Sequence, residues 1–302
     1  VSLPLTIIGG YLGSGKTTLL NHMLRRADGL RLAVLVNEFG DLPIDADLIE
    51  AEDGNMISIA GGCVCCSFGD DLSAALMDLA KLEPAPDHVL LETSGVALPG
   101  AIAASLVFTQ GYTHDATIVL TNAETIQAQA QDTYVGDTIQ RQLCDADLII
   151  LNKIDLVSDA ALAKTKGWLA QEYAQAEILT AQNGRLPLDV LLQSYLGRAG
   201  RPIAVPQPHP DIFKSVDLSV EKPVDAQALA ASLASADLGL ARAKGFVTDR
   251  SGQQMTLQVV GRRCSTDPAP EGVANGLVVI AEAPRVDKDQ LQALVARHQS
   301  TI

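Results

Sequence analysis

The chain has 302 residues, enough for one large domain or two smaller ones, and 47% of them are hydrophobic, so a sizeable core can form. Aromatic residues make up only 4%, which predicts an aliphatic, alanine-rich interior. A formal net charge of −14 excludes non-specific nucleic-acid binding, which needs a basic surface, and suits a protein that meets cations or basic partners. The sequence does not open on a basic stretch followed by a long apolar run, and no apolar run is long enough to span a bilayer, so neither a secretory leader nor a membrane partner is expected. The five cysteines are Cys63, Cys65, Cys66, Cys144 and Cys264. An odd count with three clustered is a poor disulfide framework; it reads as thiol chemistry or metal binding in a cytoplasmic setting.

In chain order, residues 3–8 are apolar and β-branched enough for a buried strand, and residues 18–26 read as a helix. Between them, Gly10-Tyr11-Leu12-Gly13-Ser14-Gly15-Lys16-Thr17 fits G-x-x-x-x-G-K-[ST], the phosphate-binding P-loop. Its glycines let backbone N–H groups curl around phosphate oxygens, and the following helix presents its positive end. Lys16 is expected to reach the β- and γ-phosphates and Thr17 to place its hydroxyl on Mg²⁺. Gly10, Gly13, Ser14, Gly15 and Thr18 complete the phosphate-binding set.

Residues 31–36 form a second strand ending at Asn37-Glu38-Phe39-Gly40. The acidic loop 41–49, with Pro43, Asp45 and Asp47, follows where P-loop GTPases place a segment that responds to the γ-phosphate. Residues 56–60 are a short strand feeding Gly61-Gly62-Cys63-Val64-Cys65-Cys66. Thiolates are soft ligands that favour Zn²⁺, Co²⁺, Ni²⁺ or Cu⁺ over Mg²⁺. Two or three can reach one tetrahedral ion from a single loop, and Glu38 is a candidate for a further ligand. Structural packing of the thiols and redox exchange are the competing readings. Cys144 and Cys264 read as single core cysteines. A helix over 70–81 puts Leu72, Leu76, Leu79 and Ala80 on one face, and Pro84 and Pro86 close it.

Residues 88–91 form a strand ending in Glu92-Thr93-Ser94-Gly95. An acidic residue there can organise Mg²⁺ or the attacking water, and Gly95 can follow the γ-phosphate; a solvated strand end is the plain alternative. A helix over 101–108, a strand over 116–120 and a helix over 133–143 lead to a strand over 147–151 and to Asn152-Lys153-Ile154-Asp155. This is N-K-x-D. The aspartate can accept two hydrogen bonds from guanine N1–H and N2–H₂, a donor pair adenine lacks. A helix over 160–173 and a strand over 178–180 precede the loop 180–184, which is expected to lend the Ala181 N–H to the guanine oxygen; a helix over 188–196 follows. His22 and His88 read as packing residues, and His209 as at most an accessory metal ligand.

Strands alternating with helices at this spacing specify an α/β fold, a doubly wound, mostly parallel sheet, over residues 1–200. Ligands of such sheets bind at the carboxyl ends of the strands, where every motif above falls. Pro202, Pro206, Pro208 and Pro210 mark a semi-rigid linker over 201–210. Residues 211–302 then read as a smaller α+β domain: strands over 213–220, 239–248, 254–260 and 276–281, with helices over 225–233 and 287–298.

Together, the P-loop, Asn37-Glu38-Phe39-Gly40, the C-x-C-C cluster, Glu92-Thr93-Ser94-Gly95 and Asn152-Lys153-Ile154-Asp155 resemble the CobW-type P-loop GTPases, relatives of the nickel-insertion GTPases HypB and UreG. Arg242-Ala243-Lys244-Gly245-Phe246-Val247 is similar to a strand motif of that family's C-terminal domain. The resemblance covers nearly the whole chain. It implies a low-turnover GTPase that acts as a metallochaperone, binding Zn²⁺ or Co²⁺ at Cys63, Cys65 and Cys66 and coupling metal release to GTP hydrolysis. It places the switch segments at 37–45 and 92–95, and guanine on Asn152, Lys153 and Asp155. With the residues read above, Mg²⁺ falls to Thr17, Asp45 and Glu92, and catalysis to Lys16, Glu92 and Gly95. The expected partner is a client metalloprotein bound through the C-terminal domain, and a homodimer is among the expected assemblies. The chain departs from the pattern in carrying one linker histidine, His209, where many members have a histidine-rich tract. Thr121-Asn122-Ala123 also stands where many have valine-aspartate-alanine. The alternative is a GTP-dependent regulatory or scaffolding module with structural or redox cysteines; Asp155 argues against an ATP-using kinase.

Overall fold

A computed structural model of the chain describes residues 2–27, 30–37, 56–61, 70–107, 109–192, 212–236, 238–270, 272–283 and 285–299. Glu38, Asp45, Cys63, Cys65, Cys66, His209 and the expected linker 201–210 lie outside the described residues. The chain divides into two compact units, Val1–Leu188 and Asp189–Ile302.

The first unit is built on seven strands: β1 Leu3–Gly9, β2 Leu32–Asn37, β3 Met56–Gly61, β4 His88–Glu92, β5 Tyr112–Asn122, β6 Leu148–Asn152 and β7 Glu177–Thr180. They pair in the order β3-β2-β4-β1-β5-β6-β7, and every pairing is parallel. The strands are near-continuous apolar runs because residues of both parities are buried. The helices are α1 Lys16–Arg25, α2 Asp70–Ala80, α3 Pro99–Leu106, α4 Ile126–Ala130, α5 Gly136–Cys144 and α6 Asp159–Glu172. Leu76 and Leu79 of α2 and Ile102 and Leu106 of α3 form one aliphatic cluster with β1, β2 and β4. Residues of α4, α5 and α6 form a second with β5, β6 and β7. After β3 the chain returns to insert β4 between β2 and β1, then builds outward through β5. Ile8 and Val36 both pair with Glu92, and Asn122 pairs with Asn152, so the carboxyl ends of these strands form one edge.

Some boundaries differ from the sequence reading. Strand β5 begins four residues earlier than expected because its register slips opposite Leu5 and Thr6, leaving Asp115 as the extra residue. The buried Asp115 carboxylate accepts from Thr6 Oγ1 (3.0 Å), and buried His88 Nε2 lies 2.8 Å from the same hydroxyl, which leaves His88 as its donor. The helix expected from residue 133 starts at Gly136, because Asp132 Oδ1 accepts from Tyr134 N and Val135 N and closes a turn there. Cys144, expected in the core, is exposed at the end of α5, and Cys264 is half-buried.

The second unit holds the four-residue helix α7 Leu188–Leu191 from its second residue onward, then β8 Phe213–Leu218, α8 Ala226–Ser235, β9 Leu240–Thr248, β10 Gln254–Val260, β11 Arg263–Pro268, β12 Gly276–Glu282 and α9 Lys288–His298. The five strands pair in the order β11-β10-β9-β12-β8, all antiparallel. Leu229 and Leu233 of α8 and Leu291 and Val295 of α9 form the core with Val247, Leu257 and Val279. Asp225 and Asp287 cap the two helices through their side chains. Strand β11 escaped the sequence reading: it is polar apart from Cys264 and Pro268 and lies at the sheet edge, so it lacks a two-residue apolar rhythm. On β9, buried Arg242 donates from Nε to the Val190 carbonyl and from Nη2 to the Leu191 carbonyl, both at 2.7 Å, and so caps the end of α7.

Candidate functional site

The P-loop leaves β1 at Gly9 and enters α1 at Lys16. Gly10, Gly13 and Gly15 all take positive φ, at 129°, 73° and 104°. Gly15 is required on two grounds: its φ lies outside the range of ordinary side chains, and a Cβ there would stand 2.5 Å from Asn152 Nδ2. Helix α1 has Gly15 at its N-cap and no side-chain cap, which leaves its first N–H groups facing the loop. Lys16 is buried, and its Nζ donates to the Gly10 carbonyl at 3.0 Å, so its charge lies folded across the loop it is expected to serve. Thr17 is half-buried and Thr18 exposed.

Asn152 was expected to read the base. Its side chain instead joins two loops: Nδ2 donates to the Ser14 carbonyl of the P-loop and Oδ1 accepts from Gly184 N, each at 3.0 Å. At 1% exposure this amide is a strut between the phosphate loop and the loop after β7. His22 Nε2 ties α1 to the same segment through the Leu186 carbonyl at 3.1 Å. The Ala181 N–H, expected to face guanine, donates to the Leu151 carbonyl at 3.0 Å. The β6–β7 ladder therefore runs one residue past β7, and this N–H is committed to it.

Lys153 (φ 60°) and Asn183 (φ 52°) are the only non-glycine residues with positive φ among the described residues. Such a conformation costs about 1 kcal/mol or more, and strain of this kind collects at binding sites. Lys153 sets the turn into the short 3₁₀ segment Ile154–Leu156, and Asp155 lies exposed on it.

Glu92 is buried at the tip of β4, between the ends of β1 and β2. Thr93 N continues the ladder to the Ile8 carbonyl at 2.9 Å. Gly95 lies against the P-loop: a Cβ there would meet the Leu12 side chain at 2.6 Å and the Leu12 backbone nitrogen at 2.9 Å. The buried hydroxyls of Ser14, Thr93 and Ser94 make no hydrogen bond among the described residues. All three belong to the P-loop or to the turn after β4. Buried hydroxyls are normally satisfied, so a polar ligand fits here.

Sequence reasoning missed Gln142. It sits on the buried face of α5 with Ile139 and Leu143, and its Nε2 donates to the Gly95 and Ala97 carbonyls. A lone amide on an otherwise apolar helix face was the available signal. Thr121 donates to the Ile150 carbonyl, and Asn122 Oδ1 accepts from Glu124 N, so the loop after β5 is closed by its own turn. Among the described residues no three His, Cys, Asp or Glu side chains are grouped to hold a metal, and no helix is long and apolar enough to cross a membrane.

A parallel sheet with a glycine-rich P-loop at the carboxyl end of its central strand, joined by a buried amide to the loop after β7, defines a P-loop nucleotide-binding domain. Family comparison agrees: the model described as "CobW/HypB/UreG, nucleotide-binding domain" matches residues 4–180, and "Cobalamin synthesis protein cobW C-terminal domain" matches residues 213–298. The chain belongs to the CobW/HypB/UreG family. It is similar to the zinc chaperone CobW of Pseudomonas aeruginosa, at 35% identity over 222 residues, 63% of this chain and 59% of that protein. The zinc chaperone YjiA of Escherichia coli is 33% identical over 200 residues, 64% and 61% of the two chains. The zinc-regulated GTPase metalloprotein activator 1 of Dictyostelium discoideum is 30% identical over 232 residues, 64% and 49% of the two. The matches thus span about half to three-fifths of these relatives' length. The crystal structure of Zn(II)-bound YjiA GTPase from E. coli aligns over 99% of this chain and 100% of that one, with a TM-score of 0.49 and 25% identity.

Proposed function

We propose that the chain is a GTPase that carries a transition metal, Zn²⁺ or Co²⁺, and couples GTP hydrolysis to its transfer to a client metalloprotein through the C-terminal domain. One observation carries the nucleotide half of this reading: Asn152 bonds the P-loop and the loop after β7 together, so phosphate-facing and base-facing groups share one sheet edge. In this reading Lys16 exchanges the Gly10 carbonyl for phosphate oxygens, and the P-loop N–H groups hold the β-phosphate. The exposed Asp155 carboxylate accepts from guanine N1–H and N2–H₂. The buried Glu92 and the Gly95 N–H face the γ-phosphate, where water attacks phosphorus and the bond to the β–γ bridging oxygen breaks, releasing GDP and phosphate. Thr17, Asp45 and Glu92 are the residues that would hold Mg²⁺, whose charge would neutralise the phosphates. The Ser14, Thr93 and Ser94 hydroxyls, without a partner among the described residues, suit a site completed by phosphate oxygens and water.

The metal half rests on Cys63, Cys65 and Cys66, with Glu38 as the further ligand, and on relatives named zinc chaperones. Three thiols in the reduced state fit a cytoplasmic setting. Competition between GTP and ATP tests the nucleotide: GTP is expected to win, and Asp155→Asn to remove the preference. Co²⁺ titration of the reduced protein, with a non-hydrolysable GTP analogue and then with GDP, tests the metal. A thiolate-to-cobalt absorption band at one equivalent, tighter with the analogue and lost in Cys65→Ser, is the expected outcome. The same affinity in both nucleotide states would refute the coupling, because a ligand shifts only an equilibrium it distinguishes.

A further inference from the structure

The turn between β4 and α3 is held by α5 at both its ends. Gln142, 1% exposed, donates from Nε2 to the Gly95 carbonyl at 3.1 Å and to the Ala97 carbonyl at 2.8 Å. Three residues on, Asp145 Oδ2 accepts from Gly100 N at 2.8 Å, at the start of α3. Gln142 shares its helix face with buried Ile139 and Leu143, so its amide has no solvent to turn to. On its other side Gly95 is backed by Leu12, where even a methyl group would come within 2.9 Å of a backbone nitrogen. The turn is wedged between the P-loop and α5, and one uncharged amide sets the direction of two of its carbonyls.

The bonds to the Gly95 and Ala97 carbonyls pin the Gly95–Val96 and Ala97–Leu98 peptide planes, and with Leu12 packed on the other side of Gly95 they anchor the backbone that carries the Gly95 N–H. The same glycine is the one whose N–H faces the γ-phosphate in the reading above. We infer that Gln142 is a positioning residue for γ-phosphate sensing: it sets the orientation from which the Gly95 N–H meets a triphosphate. Base and diphosphate recognition do not pass through it. The inference rests on the GTPase reading and adds a residue of α5 to it.

The test uses the full chain with Gln142→Met, which keeps length and burial and removes the donor, and Gln142→Glu, which turns a carboxylate toward two carbonyl oxygens. GDP affinity is expected to stay within about twofold of wild type. Affinity for a non-hydrolysable GTP analogue and kcat are each expected to fall about tenfold, equivalent to about 1.4 kcal/mol, with the larger loss for Gln142→Glu. A merely structural role would instead lower Tm and weaken GDP and the analogue by the same factor, and that outcome overturns the inference. So does a kcat within twofold of wild type in Gln142→Met, which decides the matter alone if Gln142→Glu does not fold. Wild-type turnover with an unaffected Gln142→Met would sink this inference and leave the GTPase reading standing. A wild-type chain that neither prefers GTP nor hydrolyses it would remove both.

Discussion

Replacing Asn152 by alanine removes a side chain whose two ends are bonded to buried backbone, the Ser14 carbonyl and the Gly184 N–H. Neither group has solvent to replace the lost partner, because Ser14 and Gly184 are both buried. An orphaned buried backbone group costs about 1–3 kcal/mol, so the pair is expected to cost about 2–6 kcal/mol. Against a typical stability of about 5–15 kcal/mol this is a large fraction. The single tryptophan, Trp168, lies on α6 of the first unit, edge-on to Tyr173 with ring centroids 5.8 Å apart, so its fluorescence follows the unfolding of that unit in urea. Asn152→Asp separates hydrogen bonding from volume. It keeps an acceptor for Gly184 N but turns a second oxygen toward the Ser14 carbonyl, and is expected to be no more stable than the alanine variant. Both variants are expected to weaken binding of a fluorescent GDP analogue at least tenfold. If Asn152→Ala unfolds within about 0.5 kcal/mol of wild type, the range of neutral surface changes, or Asn152→Asp matches wild type, the strut does not exist as described.

Three further outcomes are expected. Asp249 Oδ1 accepts from Ser251 Oγ, Ser251 N and Gln253 N in the β9–β10 turn, and these bonds, the Ser251 hydroxyl first, hold its carboxyl below the ordinary 3.8. A depressed folded value stabilises above the unfolded one and is lost as pH falls through the folded one. The wild-type advantage over Asp249→Asn in thermal unfolding should therefore be full near neutral pH and shrink below about pH 3.8. Burial pushes the Tyr112 phenol up to about 12 from 10.0, and its hydroxyl donates to the Leu76 carbonyl at 2.6 Å. A raised value stabilises below the unfolded value and is lost as pH rises through the folded one. Tyr112→Phe should cost about 1 kcal/mol near neutral pH and close the gap to wild type between pH 10 and about 12, read by urea unfolding across that range. Arg242→Lys cannot serve the Val190 and Leu191 carbonyls with a planar fork; it is expected to cost about 2 kcal/mol, read as a lower Tm of the C-terminal unit by calorimetry, and an unchanged Tm would refute the cap.

Local pattern was enough for much of the molecule. The apolar runs at 3–8, 88–91 and 148–151 are strands because both faces of a parallel sheet are buried, and burial on both faces writes itself as unbroken hydrophobicity. The phosphate loop was legible because positive φ at Gly10, Gly13 and Gly15 demands glycine at fixed spacing. Asp155 was legible from its motif and does lie exposed on a turn after β6.

Tertiary structure decided the rest, where partners are far apart in sequence. Asn152 reads as a base-contacting residue in its motif, and only a contact 138 residues away, with Ser14, makes it a strut. The Ala181 N–H looked available until the β6–β7 register committed it to Leu151. Gln142 reads as one polar residue on a helix, and its meaning lies in two carbonyls more than 40 residues earlier. Strand β11 has no apolar rhythm of its own and exists because β10 offers it an edge. Short-range sterics and burial are written into neighbouring residues, so the sequence by itself settled where the sheet, the P-loop and the turn after β6 fall. Hydrogen bonds between distant loops leave no local period, so which groups are tied down at this edge was settled only by the fold.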